Sequence, residues 1–330
     1  MNSARASDVG VKPCKVAVIG AGYMAREHIR AFGDVPGVAL AGIHSRTRAR
    51  AEALAVELGV SDVCDSIGQL YEKTKADLLV VAVPELAANA VSRVAFEYPW
   101  TVLLEKPAGY NVADAEDIER RARGRGRQAY VALNRRHYGS TQAVLADLAG
   151  RTGRRLIKIQ DQENPIAALK AGQPKSVVDN WMYANSIHLI DYFTFLGRGS
   201  ITEVTPVLRW DAEGPSYVVA VLKYDSGDVG VYEAVWNSPG PWAVNVNTPD
   251  KRWEMRPVER AAFQLAEKRV LEPFPDVAWD TDFKPGLRRQ AALAVAAATG
   301  HASDDLPTLQ DALQSMRLTQ AIYALSASIK

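Results

Sequence analysis

A short apolar run, Lys15-Val-Ala-Val-Ile19, leads straight into Gly20-Ala-Gly22-Tyr-Met-Ala25, and this junction limits the possible folds more than any other feature of the chain. The run is apolar and largely β-branched, as in a strand buried on both faces. The turn after it has the G-x-G-x-x-A form of a dinucleotide-binding turn. Gly20 permits the tight turn, Gly22 leaves no side chain to block a pyrophosphate, and Ala25 lets the following helix lie close to the strand. The helix N-terminus then offers unpaired N–H groups to phosphates. Gly20, Gly22, Tyr23 and Met24 are therefore candidate cofactor contacts.

The same alternation continues. Strands are expected over 15–19, 38–43, 76–83, 101–104 and 128–133, with helices over 23–32, 48–58, 86–96 and 112–123 between them. Thr47 is placed to cap the second helix and Gly59 to end it. Alternating strands and helices imply a doubly wound parallel sheet with helices on both faces. Ligands bind beyond the carboxyl ends of such strands. Val83 and Pro84 after one strand, and Glu105 and Lys106 after the next, are further candidate cofactor contacts.

The pattern changes near Asn134. A helix over 141–148 precedes long strand-like runs at 155–160, 201–210, 217–224 and 229–236, with a hairpin-type turn at Asp225-Ser-Gly-Asp228. A helix over 186–195 is inserted early, and two helices close the chain. The expected architecture is α/β: a tail over 1–12, a Rossmann domain over 13–134, and an α+β domain over 135–330 with an open, mostly antiparallel sheet for substrate binding and oligomerisation. Bulky strand residues such as Trp210, Tyr232 and Trp236 suggest that another subunit covers the outer sheet face, giving a homodimer or homotetramer.

Composition narrows the function classes. The 330 residues carry 39 basic and 38 acidic side chains, so no general attraction to nucleic acid or an acidic membrane is expected. No apolar run approaches a membrane span, and the first residues lack the core of a signal peptide. Two cysteines make no disulfide framework, and a cytoplasmic location is expected. The 5 scattered histidines give no metal-ligand spacing.

Cofactor choice is read at the end of the second strand, where an NAD-specific site carries Asp or Glu for the ribose. Here the sequence is His44-Ser45-Arg46-Thr47. Ser45 can donate a hydrogen bond and the Arg46 guanidinium can pair with a 2′-phosphate, which favours NADP over NAD.

Gly20-x-Gly22, Glu105-Lys106-Pro107, His188-Leu-Ile-Asp191, Phe283-Lys-Pro-Gly-Leu-Arg-Arg-Gln290 and Leu306-Pro-Thr-Leu-Gln-Asp-Ala-Leu313 occur in this order along the chain. Together they resemble the glucose–fructose oxidoreductase, inositol dehydrogenase and rhizopine catabolism (Gfo/Idh/MocA) family, over almost the whole chain. The resemblance implies hydride exchange between a nicotinamide and a hydroxyl or carbonyl carbon of a sugar, nucleotide sugar or cyclitol. It places Lys106 and His188 as the catalytic pair and Arg136, Tyr138, Asn185 and His188 at the substrate. Lys106 also makes physical sense there: a lysine at the ligand-binding sheet edge, beside an apolar cleft, can exchange protons near neutrality. The sequence departs from the family pattern at Ala184, where an aspartate is usual, at Ser186, where a glycine is usual, and at Ala88, where a histidine is frequent. Other readings of the same fold are a cofactor-binding sensor without turnover and a reductase of aromatic diols or tetrapyrroles.

Overall fold

A computed structural model describes residues 13–301 and 304–325; the expected tail over 1–12 lies outside them. The first sheet contains β1 (Cys14–Ile19), β2 (Val38–His44), β3 (Asp62–Cys64), β4 (Leu78–Val81), β5 (Thr101–Leu104) and β6 (Ala129–Val131). Its order is β3-β2-β1-β4-β5-β6, with every pairing parallel. Between them run α1 (Tyr23–Gly33), α2 (Arg48–Leu58), α3 (Ile67–Thr74), α4 (Glu85–Ala95) and α5 (Val112–Gly124). The strand order reverses between β1 and β4, so a crevice opens there beyond their carboxyl ends.

The local chemistry of these elements largely follows the sequence. All four residues of β4 and of β5 are buried, as central parallel strands require. Gly59 ends α2 in the left-handed conformation, at φ 69°. Thr47 occupies the cap position of α2, but its hydroxyl accepts no capping hydrogen bond. Neither β3 nor α3 is expected from the pattern, because three residues are too few to show a strand period.

After α6 (Gly139–Ala149), the chain builds an eight-stranded sheet in the order β14-β13-β12-β11-β7-β10-β9-β8. Its strands are β7 (Leu156–Glu163), β8 (Ile201–Leu208), β9 (Tyr217–Tyr224), β10 (Val229–Trp236), β11 (Ala243–Asn247), β12 (Lys251–Met255), β13 (Ala261–Leu265) and β14 (Glu272–Pro273). Only the central β7–β10 pairing is parallel. Helices α7 (Pro165–Lys170) and α8 (Lys175–Val178) follow β7. A π turn, Met182–Ser186, then runs into α9 (Ile187–Ile190) and α10 (Tyr192–Leu196), so the inserted helix begins earlier than its expected start at Ser186.

The chain ends with α11 (Ala278–Asp282), α12 (Leu287–Ala298) and α13 (Leu309–Ile322). Leu287, Ala291 and Ala294 of α12 are buried in one cluster with Val16, Ile29 and Val80 of the first sheet and its helix α1. Helix α13 packs on α5. Both helices therefore cross back over the division expected at residue 134.

The expected reason for a second subunit changes. Tyr232 and Trp236 are buried within this chain, and Trp210 lies against them: the three aromatic rings gather around Tyr323, which follows α13, at centroid distances of 5.8 to 6.3 Å. Strand β10 alternates buried and half-buried residues, so its large aromatics face the helices. The opposite face of the sheet shows smaller residues such as Val219, Val221, Val231 and Val235, interspersed with Lys158, Gln160 and Glu233.

Candidate functional site

The crevice between β1 and β4 is built for a dinucleotide. Gly20 has φ +123°, and a Cβ there would stand 2.0 Å from the Ala82 carbonyl oxygen. Only glycine fits this turn. A Cβ on Gly22 would meet nothing within 4 Å, so the space beside the α1 N-terminus is left open. Ala25 is fully buried where α1 crosses the sheet. The crevice is walled by Gly22, Ser45, Arg46, Arg50, Val83 and Pro84, among others. These residues fit a nicotinamide dinucleotide: an open helix N-terminus for the pyrophosphate and an apolar wall at Val83 and Pro84.

At the ribose end, neither the Arg46 nor the Arg50 guanidinium forms a hydrogen bond or ion pair with the described residues. Arg48 between them is bound to Glu52 and Asp65. Arg50 adds a second cation that the first reading of the turn omits. It lies in the first turn of α2, four residues after Arg46, which precedes the cap at Thr47. His44 is a strand-end side chain whose Nδ1 lies 2.9 Å from the Cys64 carbonyl oxygen.

Two of the expected cofactor contacts are placed differently. Glu105 Oε1 pairs with His28 Nε2 at 2.7 Å, and its Oε2 accepts the Lys106 N–H at 3.1 Å. Both groups are buried. Glu105 therefore fastens the loop after β5 to α1 and has no free oxygen edge for a cofactor. Met24 packs partly buried against the first-sheet core, whereas Tyr23 is exposed, with Lys284 Nζ 5.5 Å from its ring centroid.

Lys106 follows at the sheet edge, and its peptide bond to Pro107 is cis. Its Nζ donates to the Ala184 carbonyl at 2.8 Å. This oxygen lies in the π turn, where the Ile187 N–H reaches back five residues to Met182. Such turns frequently occur at functional sites. Burial pushes the Lys106 ammonium below its ordinary pKa. Four residues after Ala184, His188 is buried with no partner for its Nδ1 among the described residues. Burial first, then the charges of Arg135, Lys106 and Lys284, hold its pKa well below the ordinary value, so the ring is neutral. The Ala184 carbonyl thus ties Lys106 to the turn that runs into the helix of His188.

The acidic groups of the site come from β7. Along its buried face, Ile157 and Ile159 give way to Asp161 and Glu163, because side chains alternate along a strand. Glu163 accepts from Trp181 Nε1 at 2.6 Å, Asn185 Nδ2 at 2.8 Å and Ser186 Oγ at 3.1 Å. Asp161 accepts from the Tyr232 hydroxyl at 2.7 Å, and Tyr232, Tyr323 and Ser186 continue a hydroxyl chain back to Glu163. Burial pushes both carboxyls above their ordinary range, and the neighbouring Asp161 charge pushes Glu163 further. Glu163 thus supplies a carboxyl near Ala184, where the family aspartate is absent. The repeated acid in Asp161-Gln-Glu163, two apart on a strand, was its sequence signal.

The expected substrate contacts divide. Asn185 and Glu163 line a pocket with Gln162, Trp181 and Trp242. Arg136 makes a bidentate pair with Asp191, at 2.8 and 2.7 Å, and also donates to Thr194. Its Nε and Nη2 are taken up inside the protein, an arrangement that does not favour its expected role at the substrate. Tyr138 is buried beside Gly286, also away from an open surface. The neighbouring Arg135, also half-buried, turns the other way. Residues Asn134–His137 form a 3-10 turn, so successive side chains point in different directions. Arg135 lies over the Trp242 ring, 4.6 Å from its centroid, and His188 approaches the same indole at 6.5 Å.

Comparison with known proteins matches this geometry. Residues 14–133 match the family model described as "Oxidoreductase family, NAD-binding Rossmann fold". A 4-carboxy-2-hydroxymuconate-6-semialdehyde dehydrogenase from a Sphingobium species is 21% identical over 239 residues, covering 69% of this chain and 73% of that protein. A levoglucosan dehydrogenase, solved with NADH and levoglucosan, superposes with a TM-score of 0.78 at 16% identity, covering 94% and 96% of the two chains. A UDP-N-acetylglucosamine 3-dehydrogenase from Acidithiobacillus ferrooxidans has a TM-score of 0.74 at 16% identity, covering 94% and 96%. With its glycine turn and its sheet order, the domain of residues 14–133 belongs to the Gfo/Idh/MocA family of oxidoreductases with an NAD-binding Rossmann fold.

Proposed function

We propose that this protein is an NAD(P)-dependent dehydrogenase or reductase acting at a hydroxyl or carbonyl carbon of a sugar, nucleotide sugar or cyclitol. The observation that carries this reading is the tie between Lys106 and the turn that leads into the helix of His188. Lys106 Nζ is bonded to the main chain four residues before His188, and Lys106 itself follows β5 at the carboxyl end of the parallel sheet. A bound nicotinamide supplies the hydride acceptor or donor. Lys106 holds or releases the accompanying proton at Nζ, which burial makes easier to deprotonate. The neutral His188 ring offers a hydrogen bond to the substrate oxygen without adding charge. Trp181 and Trp242 wall the substrate pocket and limit water.

NADP is the favoured cofactor in this reading. Arg46 and Arg50 present two guanidinium groups at the ribose end, and no acidic residue lines that end of the crevice. The sugar preference draws on the levoglucosan and UDP-N-acetylglucosamine dehydrogenases of like fold. The semialdehyde dehydrogenase relative favours keeping non-sugar aldehydes as the second reading. Assembly as a homodimer or homotetramer, and a cytoplasmic location suited to two free, buried cysteines, complete the proposal.

The deciding experiment follows nicotinamide absorbance with both cofactors across sugars, nucleotide sugars, cyclitols and carboxylated semialdehydes. Turnover of a sugar or nucleotide sugar with NADP is the expected result. Tight NADP binding with no turnover across the panel would leave the sensor reading in place.

A further inference from the structure

Two adjacent arginines leave the same 3-10 turn in different directions and have opposite fates. Arg136 is neutralised by Asp191. The Arg135 guanidinium makes no hydrogen bond or ion pair with the described residues, and its Nε is buried without a partner. Its guanidinium lies over the Trp242 ring at 4.6 Å, with the Tyr138 ring at 6.0 Å. Aromatic contact orients a guanidinium but leaves its N–H donors unsatisfied. A partly buried cation without an acceptor is costly unless a ligand supplies one.

The surroundings add positive charge. Lys106 and Lys284 act on His188 together with Arg135. The nearest acidic groups do not offset them. Glu105 is bound to His28. Glu163 is surrounded by Trp181, Asn185 and Ser186, and burial drives Glu163 and Asp161 towards their neutral forms. Trp242 joins the two parts of the cleft: it carries Arg135 and approaches His188 in one direction, and lines the Trp181–Asn185 pocket in the other.

We infer that Arg135, braced on Trp242, binds an anionic group of the substrate, a carboxylate or a phosphate, while the reacting carbon lies at Lys106 and His188. This deepens the proposed function and rests on it: the substrate is an acidic hydroxy or oxo compound, not a neutral polyol. The planar fork suits either anion in a bidentate pair.

The test is equilibrium binding to the cofactor-loaded protein by calorimetry, with three pairs differing only in an anionic group: D-glucose against D-glucuronate, D-glucose against D-glucose 6-phosphate, and benzaldehyde against 4-carboxybenzaldehyde. In at least one pair the anionic member is expected to bind about tenfold or more tightly, the size of one charge-assisted hydrogen bond. Arg135→Met removes that preference, and Arg135→Lys keeps part of it. Neutral members bind equally to wild type and variants, which shows that the variants are folded. If no anionic member of any pair is preferred, or if the preference survives in Arg135→Met, the assignment is wrong. Because the readout is binding, an anion preference without turnover would overturn the proposed catalysis and leave the anion site standing.

Discussion

Lys106 Nζ donates to the Ala184 carbonyl oxygen at 2.8 Å, so the catalytic candidate of the first domain is held by the main chain of the second, not by a carboxylate. A neutral acceptor does not stabilise an ammonium as a carboxylate would, and burial lowers its pKa further. Lys106→Met should leave cofactor affinity unchanged and reduce turnover by about 10²–10⁴-fold, the usual range of a general acid–base contribution. In the oxidation direction, wild-type kcat/KM should fall as pH drops through the depressed Lys106 pKa, and the variant should lack this limb. His188→Ala should raise KM more than it lowers kcat. Turnover of Lys106→Met within about threefold of wild type would remove Lys106 from the mechanism.

The Arg46 and Arg50 guanidinium groups stand at the ribose end of the crevice without partners among the described residues. Arg46→Ala should weaken NADP binding by about 1.5–3 kcal/mol, the range for a hydrogen bond to a charged group. NAD binding should change little. Fluorescence titration with both reduced cofactors decides the point: equal losses for the two would mean that Arg46 does not read the 2′-phosphate.

The parallel sheet was legible because its signals are local. A buried strand such as Leu78–Val81 is apolar at every position, and the Gly20 turn fixes where the crevice opens. Much of the second sheet was not, since β11 to β14 are five residues or shorter and have weak alternation. Site details were lost where neighbours in sequence diverge in space. Arg135 and Arg136 look alike in the sequence, and only the turn shows that Asp191 binds one and Trp242 supports the other. The hydroxyl chain from Asp161 to Glu163 joins residues as far apart as Asp161 and Tyr323, a separation no local pattern encodes.

Asp191 is buried between Arg136, Thr194 and Ser315 and immediately follows the helix that carries His188. Asp191→Ala would leave the Arg136 charge buried and unpaired. It should cost about 3–5 kcal/mol of stability, as expected for breaking one side of a buried pair. Replacing both partners, Arg136→Met with Asp191→Leu, should cost less than the sum of the single changes. Urea denaturation of the four proteins gives the coupling, and additive losses would show that the two side chains act independently.

His137 gives the clearest pH dependence. It is buried, neither ring nitrogen has a partner among the described residues, and burial followed by the charges of Arg289 and Arg136 pushes its pKa down to about 3. In the unfolded chain the ring takes up a proton near pH 6.5, while in the folded protein it remains neutral. Protons then bind preferentially to the unfolded state, so stability falls as pH drops below about 6.5 and goes on falling towards about 3, by up to about 1.4 kcal/mol per pH unit. His188, also held neutral, acts with the same sign. His137→Gln and His137→Phe should each remove one proton from the acid slope, whatever constant offset the substitution adds. Urea unfolding at several pH values between 4.5 and 7, a range chosen to lie within about two units of the unfolded pKa, measures the slope directly. An unchanged slope in both variants would mean that His137 is protonated in the folded protein.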